Sequence, residues 1–202
     1  MTRKVVFLDR ASLPVTVRWP QFDHEWQEYE YTSATEVGTR IQNADIVITN
    51  KVALPGMVLA QASRIKMIAA AATGTDNIDL AYCSEHGIVV SNIRDYASHS
   101  VPEHVFMLIL ALRRNLLAWR ADMQNGLWHS ATQFCLFTQP MHDLYGSTLG
   151  ILGGGALGRA VAYLGTAFGM HVLFAEHKNA SVVRPDYTAF DEVLRQADVI
   201  SV

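Results

Sequence analysis

The stretch Thr148-Leu149-Gly150-Ile151-Leu152-Gly153-Gly154-Gly155-Ala156-Leu157-Gly158 decides how this chain is read. An apolar run ends at Leu152, a glycine cluster follows and a helix-compatible segment opens at Ala156, so Gly153, Gly155 and Gly158 form a G-x-G-x-x-G between a strand and a helix. Each glycine has a physical reason. Gly153 permits the tight turn, Gly155 lets backbone approach a diphosphate, and Gly158 allows close packing of helix on strand. Ala156 and Leu157 open the helix, where free amide N–H groups and the positive end of the dipole stabilise a diphosphate without any basic side chain; no Lys or Arg lies inside the loop. Glu176 ends the second strand 21 positions after Gly155. A carboxylate there accepts hydrogen bonds from an adenosine ribose and repels a 2′-phosphate, which favours NAD over NADP, although His177 and Lys178 can offset part of that repulsion. A glycine-rich turn without ligand, or a methyltransferase holding the adenosyl part of another cofactor, are the alternative readings of the loop.

Outward from the loop the same rhythm continues. Residues 148–152, 171–175 and 199–202 read as strands, and 156–168 and 190–196 as helices. Upstream, short apolar runs at 5–8, 46–49, 67–71 and 88–90 read as strands buried on both faces, separated by helices at 33–42, 55–62 and 78–86, the last ended by Gly87. Strands alternating with helices mean a parallel sheet, so the fold class is α/β, with a first domain over 1–98 and a second over 99–202. One long helix is expected over 101–120, with Ser100 as candidate N-cap and Pro102 and Glu103 serving its first turn. Residues 123–145 carry Trp128, Phe134, Phe137 and Pro140 with little periodicity and read as an ordered arm.

Composition removes several classes. With 202 residues, 50% of them hydrophobic and 17% charged, the chain can bury one large core or two small ones. A net charge of -3 supplies no basic field for nucleic acid, and no segment reaches membrane-spanning length, so neither partner is expected. Cys83 and Cys135 are too few for a disulfide framework or a zinc site, and the first residues run straight into a strand without an export signal; together these point to a cytoplasmic protein with reduced thiols. The sequon Asn179-Ala180-Ser181 is then silent. His99, Glu103 and His104 match no zinc motif, so no metal is expected.

With the fingerprint in place, Asp143-Leu144-Tyr145-Gly146-Ser147-Thr148 and the eleven-residue stretch it leads into resemble the start of the cofactor domain of D-2-hydroxyacid dehydrogenases. Upstream, Ala71-Ala72-Thr73-Gly74-Thr75-Asp76-Asn77-Ile78-Asp79 and Asn92-Ile93-Arg94-Asp95-Tyr96-Ala97-Ser98-His99-Ser100-Val101-Pro102-Glu103-His104 resemble two further blocks of that family, in the same order. The resemblance covers nearly the whole chain and is most similar to the glycerate dehydrogenase, or hydroxypyruvate reductase, branch. It implies a flavodoxin-like parallel-sheet substrate domain without its C-terminal return segment, followed by a truncated Rossmann NAD-binding domain. It further implies NAD as cofactor and a small 2-hydroxy or 2-keto acid as substrate, with hydride passing between NAD(H) and glycerate/hydroxypyruvate or glyoxylate. Subunits of the family pair through the cofactor domain, which makes the helix from Val101 and the arm bearing Trp128 candidates for a homodimer contact.

By the same resemblance, backbone groups of Ala72, Thr73 and Gly74 hold the substrate carboxylate. The loop follows a strand carboxyl end, where ligands of open parallel sheets gather, and Gly74 removes a side chain that would block approach. An ordinary tight turn is the alternative. Lys51 is placed to steer the acid unless it is a plain solvated lysine, and Ser100 and Val101 fall near the nicotinamide. The family's Arg, Glu and His follow the strand matching 199–202, so no catalytic residue is expected in this chain and little turnover by it alone. A non-catalytic NAD-binding regulatory module, or a truncated gene product, are the rival readings.

Overall fold

Short β-branched runs without polar alternation can bury both faces only in a sheet covered on both sides. The computed structural model, which describes residues 2–202, contains such a sheet in the first half of the chain. Five strands, β1 (Arg3–Phe7), β2 (His24–Glu28), β3 (Ile46–Thr49), β4 (Met67–Ala70) and β5 (Val89–Ser91), are all parallel in the order β2-β1-β3-β4-β5, which is the flavodoxin order. Helices α1 (Val37–Ile41), α2 (Gly56–Leu59) and α3 (Leu80–Glu85) connect them. Val6, Leu8, Ile41, Val47, Leu59, Ile68 and Cys83 belong to one buried cluster.

This unit extends to Asp95, and a second compact unit runs from Tyr96 to Val202. The second begins with α4 (Ser100–Arg113), α5 (Leu116–Gln124) and α6 (Leu127–Ser130). It continues as β6 (Thr148–Leu152), α7 (Ala156–Ala167), β7 (His171–Ala175), α8 (Phe190–Gln196) and β8 (Val199–Ser201). The strands are parallel in the order β7-β6-β8. On the free side of β7 a single parallel bridge joins Ala175 to Thr188, whose N–H donates to the Phe174 carbonyl at 2.8 Å while Glu176 N–H donates back to the Thr188 carbonyl at 2.8 Å. Counting that bridge as a vestigial third strand, the order is the Rossmann 3-2-1-4. Phe106 and Ile109 of α4, Leu149 and Ile151 of β6 and Val161 of α7 form its core. No helix among the described residues is long and apolar enough to cross a membrane.

Several elements differ from the sequence expectation, each for a local reason. The edge strand β2 has no apolar run to announce it; it is held by register with β1 from Arg3–His24 to Phe7–Glu28, with Trp26 edge-on to Phe7 at 6.4 Å. Residues 33–36 are a turn before α1, where the Ser33 N–H and hydroxyl donate to Glu36 Oε2 at 2.9 and 2.6 Å. Ile78 bridges Leu54 instead of joining α3, and Asp79 caps that helix by accepting from Tyr82 N–H at 2.9 Å. The expected single helix over 101–120 is two helices. Asn115 breaks it with a φ of +49°, a left-handed conformation that Asn tolerates, and its side chain donates to the Pro140 carbonyl at 2.5 Å. Ser100 is not the N-cap either: it is already helical, and His99 holds the cap position without a side-chain hydrogen bond. The expected irregular arm contains α6.

At the switch point between β1 and β3 sits Asp9, 6% exposed. Its carboxylate accepts from Asn50 N–H at 3.0 and 3.1 Å and from Lys51 N–H at 2.6 Å, which ties the two strand ends together. Replacing Asp9 by Ala leaves two backbone donors without their acceptor. We expect a loss of about 1–3 kcal/mol of stability, read as a lower urea midpoint at unchanged slope. An unchanged midpoint would show that the carboxylate holds nothing.

Candidate functional site

The second unit's candidate site is built around the end of β6. Between Leu152 and Ala156 the chain turns through Gly153, whose φ of +115° is in practice open to glycine alone. A Cβ on Gly158 would strike the Gly153 carbonyl oxygen and lie 3.1 Å from Ile151 Cγ2, so α7 rests on β6 at backbone distance. Around Gly155 nothing lies within 4 Å of where a Cβ would stand, which leaves room for a ligand. Gly155 is also the N-cap of α7 and has no side chain to cap it. The N–H groups of Ala156, Leu157 and Gly158 therefore have no acceptor within the helix, and Gly155, Ala156 and Leu157 are exposed.

A cavity of about 370 Å³ opens over this loop, lined among others by Gly153, Gly155, Glu176, Lys178, Arg184 and Tyr187. Glu176 is 4% exposed, and its carboxylate is fully engaged. Oε1 accepts from His177 N–H and from Arg184 Nη2, each at 2.8 Å; Oε2 accepts from Arg184 N–H at 3.0 Å and Arg184 Nε at 2.7 Å. The Arg184 side chain, followed by the His177 amide, holds the Glu176 carboxyl down at about 2. The sequence reading took this carboxylate as a free acceptor. Arg184 was missed because a partner eight residues away across an irregular loop leaves no periodic signal. Ser100 and Val101 open α4 and do not line this cavity.

In the first unit the two singled-out loops follow neighbouring strands. Lys51 lies just past β3, exposed, with its own amide bound to Asp9, and borders a cavity of about 480 Å³. Ala72, Thr73 and Gly74 lie just past β4. Their loop is fixed from the segment after β5: Ile93 N–H donates to the Ala72 carbonyl at 3.0 Å, Asn92 Nδ2 to the Thr73 carbonyl at 2.7 Å, and Thr73 Oγ1 to the Ile93 carbonyl at 2.8 Å. These bonds use carbonyls and a hydroxyl. Among the described residues the amide N–H groups of Ala72, Thr73 and Gly74 donate to no protein acceptor, so the loop offers three successive donors to an anion. Asp9, which orders the Lys51 loop, was also missed; an acid directly at a strand's carboxyl end was the available signal. Among the described residues no group of three or more His, Cys, Asp or Glu could hold a metal ion.

Two expectations follow. Gly158→Ala should lower stability by about 1–3 kcal/mol, because α7 must lift off β6, whereas Gly155→Ala, with open space and an ordinary φ of -74°, should change the urea midpoint little. Equal midpoints for the two variants would contradict the packing described. For pH, Glu176 has a folded pKa of about 2 against an ordinary 4.5, so its stabilising contribution is complete above about 4.5 and lost as pH falls toward 2. Urea denaturation across that window should show a shallower acid decline for Glu176→Gln than for the native chain; identical slopes would mean that the pair is not formed.

The chain matches the pattern of the D-isomer specific 2-hydroxyacid dehydrogenase catalytic domain over residues 10–193. It is 46% identical over 204 residues to the glycerate dehydrogenase of Methylorubrum extorquens, covering 100% of this chain and 63% of that protein. It is 33% identical over 207 residues to the hydroxypyruvate reductase of Blautia hydrogenotrophica, covering 98% and 64%. Among solved structures, the D-lactate dehydrogenase of Aquifex aeolicus complexed with NAD and lactic acid is similar at a TM-score of 0.69 and 29% identity, over 97% of this chain and 59% of that one. The chain thus spans less than two thirds of the length of these relatives. Two parallel sheets in flavodoxin and Rossmann order, a G-x-G-x-x-G at the first strand end of the second, and a sequence match over most of the length agree with one another: the chain belongs to the D-isomer specific 2-hydroxyacid dehydrogenase family.

Proposed function

We propose that this chain carries the substrate-binding and NAD-binding parts of an oxidoreductase that moves hydride between NAD(H) and glycerate/hydroxypyruvate or glyoxylate. The observation that carries the reading is the arrangement over β6: a glycine at positive φ and an open face at Gly155 share one cavity with Glu176, and a twelve-residue helix with free first-turn amides starts directly after them. A diphosphate fits that cradle. No side chain intrudes at Gly155, and the donors of Ala156, Leu157 and Gly158 together with the helix dipole match its charge. When bound, the nicotinamide supplies or accepts the hydride.

The names of the Methylorubrum and Blautia relatives support the substrate class, and NAD with lactic acid in the Aquifex structure supports the cofactor. In this reading the free amides of Ala72, Thr73 and Gly74 bind and orient the substrate carboxylate, Lys51 raises its local concentration, and Ser100 and Val101 serve the nicotinamide end. The proton for the new hydroxyl is assigned to none of these groups. By the resemblance the general acid, its carboxylate partner and the substrate-binding Arg follow the strand matching 199–202, and the chain covers 63% and 64% of these two relatives, so in this reading the 202 residues bind cofactor and turn over little. Pairing of two copies through α4, α5 and the arm completes the reading, with Leu112, Leu117 and Trp128 exposed there.

Titrating the chain with NADH, followed by quenching of its tryptophan emission, should show saturable binding in the range of roughly 1 μM to 1 mM, with little oxidation of NADH on adding hydroxypyruvate. A folded chain that binds S-adenosylmethionine but not NADH, or neither, would overturn the proposal.

A further inference from the structure

The cavity over the glycine loop does not present the group that its sequence pattern advertises. A carboxylate has about four lone-pair positions. Glu176 fills four with donors: two backbone amides, His177 and Arg184, and the Nε and Nη2 of the Arg184 guanidinium. The side chains differ in access, with Glu176 3% exposed and Arg184 51%. A ribose arriving at the end of β7 therefore meets guanidinium before carboxylate.

The guanidinium is held there by more than the pair. Its carbon lies 3.9 Å from the Tyr187 ring centroid, and the Tyr187 hydroxyl packs on Gly154, where a Cβ would collide with it. Behind Tyr187, Thr188 is tied to the backbone of Phe174 and Glu176. The fork is thus fixed on one face by an aromatic ring and on one edge by the carboxylate. Its third nitrogen, Nη1, takes no part in the pair. The charges lining the cavity are Glu176 against Lys178 and Arg184, with His177 beside them, a positive balance before His177 is counted.

We propose that Arg184 is a specificity-determining residue that cancels the repulsion of Glu176 toward a 2′-phosphate and offers it donors, so that the chain takes NADPH alongside NADH. The inference rests on the reading of this cavity as the adenosine end of a dinucleotide site. A 2′-phosphate gains charge-assisted hydrogen bonds from the outward half of the guanidinium, and Arg suits phosphate because its donors form a fork. A ribose diol gains less than the sequence pattern promises, since it must displace one of the four donors to reach Glu176.

The test is direct titration of NADH and NADPH, at fixed low salt, into the native chain and into Arg184→Ala and Arg184→Lys. For the native chain the two dissociation constants should lie within about tenfold of each other. Arg184→Ala should raise the NADPH-to-NADH ratio of dissociation constants by roughly tenfold or more, through loss of NADPH, because a bare Glu176 then faces the phosphate. Arg184→Lys keeps the charge but loses the fork, and should weaken NADPH more than NADH, to a ratio between those of the native chain and Arg184→Ala; this variant also decides the matter should Arg184→Ala lose both nucleotides through disorder of its loop, since a ratio that Lys leaves unchanged or shifts toward NADPH would overturn the proposal. Native NADH binding with NADPH excluded would refute it while leaving the functional reading intact, as would a ratio that neither substitution moves. Failure of the native chain to bind either nucleotide would instead sink the functional reading, and this inference with it.

Discussion

The approach of α7 to β6 is the constraint on which the second unit depends. A methyl at Gly158 would meet the Gly153 carbonyl, and one at Gly165 would press on Leu149 Cδ2 at 2.7 Å and Val172 Cγ2 at 3.3 Å. At both ends of the helix the contact admits hydrogen only. This closeness brings Val161 into the cluster with Leu149 and Ile151, and it aims the first turn of α7 along the axis that leaves its amides over the open loop. Helix placement and the aim of the free amides are therefore one geometric fact. Widening the packing by a methyl would misdirect the donors as well as loosen the core.

The two units solve a common problem at their strand ends with buried acids. Chain leaving a parallel strand must turn away with amide N–H groups that no neighbouring strand can satisfy. In the first unit Asp9 accepts two such amides, and in the second Glu176 accepts two. Asp9 needs no cationic side chain within its hydrogen-bonding set, whereas Glu176 adds the Arg184 fork. The difference follows from what each must order. Asn50 and Lys51 follow a strand directly, but the chain between His177 and Thr188 is an excursion of irregular loop, with left-handed residues at Asn179 and Asp186, and it needs a tether across its span.

Legibility in the sequence followed physical locality. The glycine motif could be read because each of its residues answers to a neighbour within a few positions, and the parallel sheets could be read because strands buried on both faces are apolar throughout. What was hidden depends on distant partners. The β2 segment His24-Glu25-Trp26-Gln27-Glu28 has no strand pattern of its own and is recruited by the edge of β1. The break at Asn115 was masked by helix-forming residues on both sides, and it is secured by Pro140, 25 residues later. Glu176 could be singled out by its spacing, but the engagement of its carboxylate could not, because that depends on Arg184.

A pinned acid also changes how the cavity over β6 responds to a ligand. The loop that bears Arg184 is held at its root by the hydrogen bonds of Thr188 and across its span by the ion pair, so the Arg184 side chain is tethered before anything binds. The ordering cost that a long, rotatable side chain usually meets on association is then already met for Arg184 in the fold. The same rigidity has an opposite side. Because the Arg184 fork and the Glu176 carboxylate satisfy one another, a ligand that draws the exposed guanidinium away leaves the buried carboxylate short of donors, which costs more than the new bond returns. Ligands that engage the exposed half of the guanidinium without breaking the pair avoid that penalty, and the geometry of the cavity favours them.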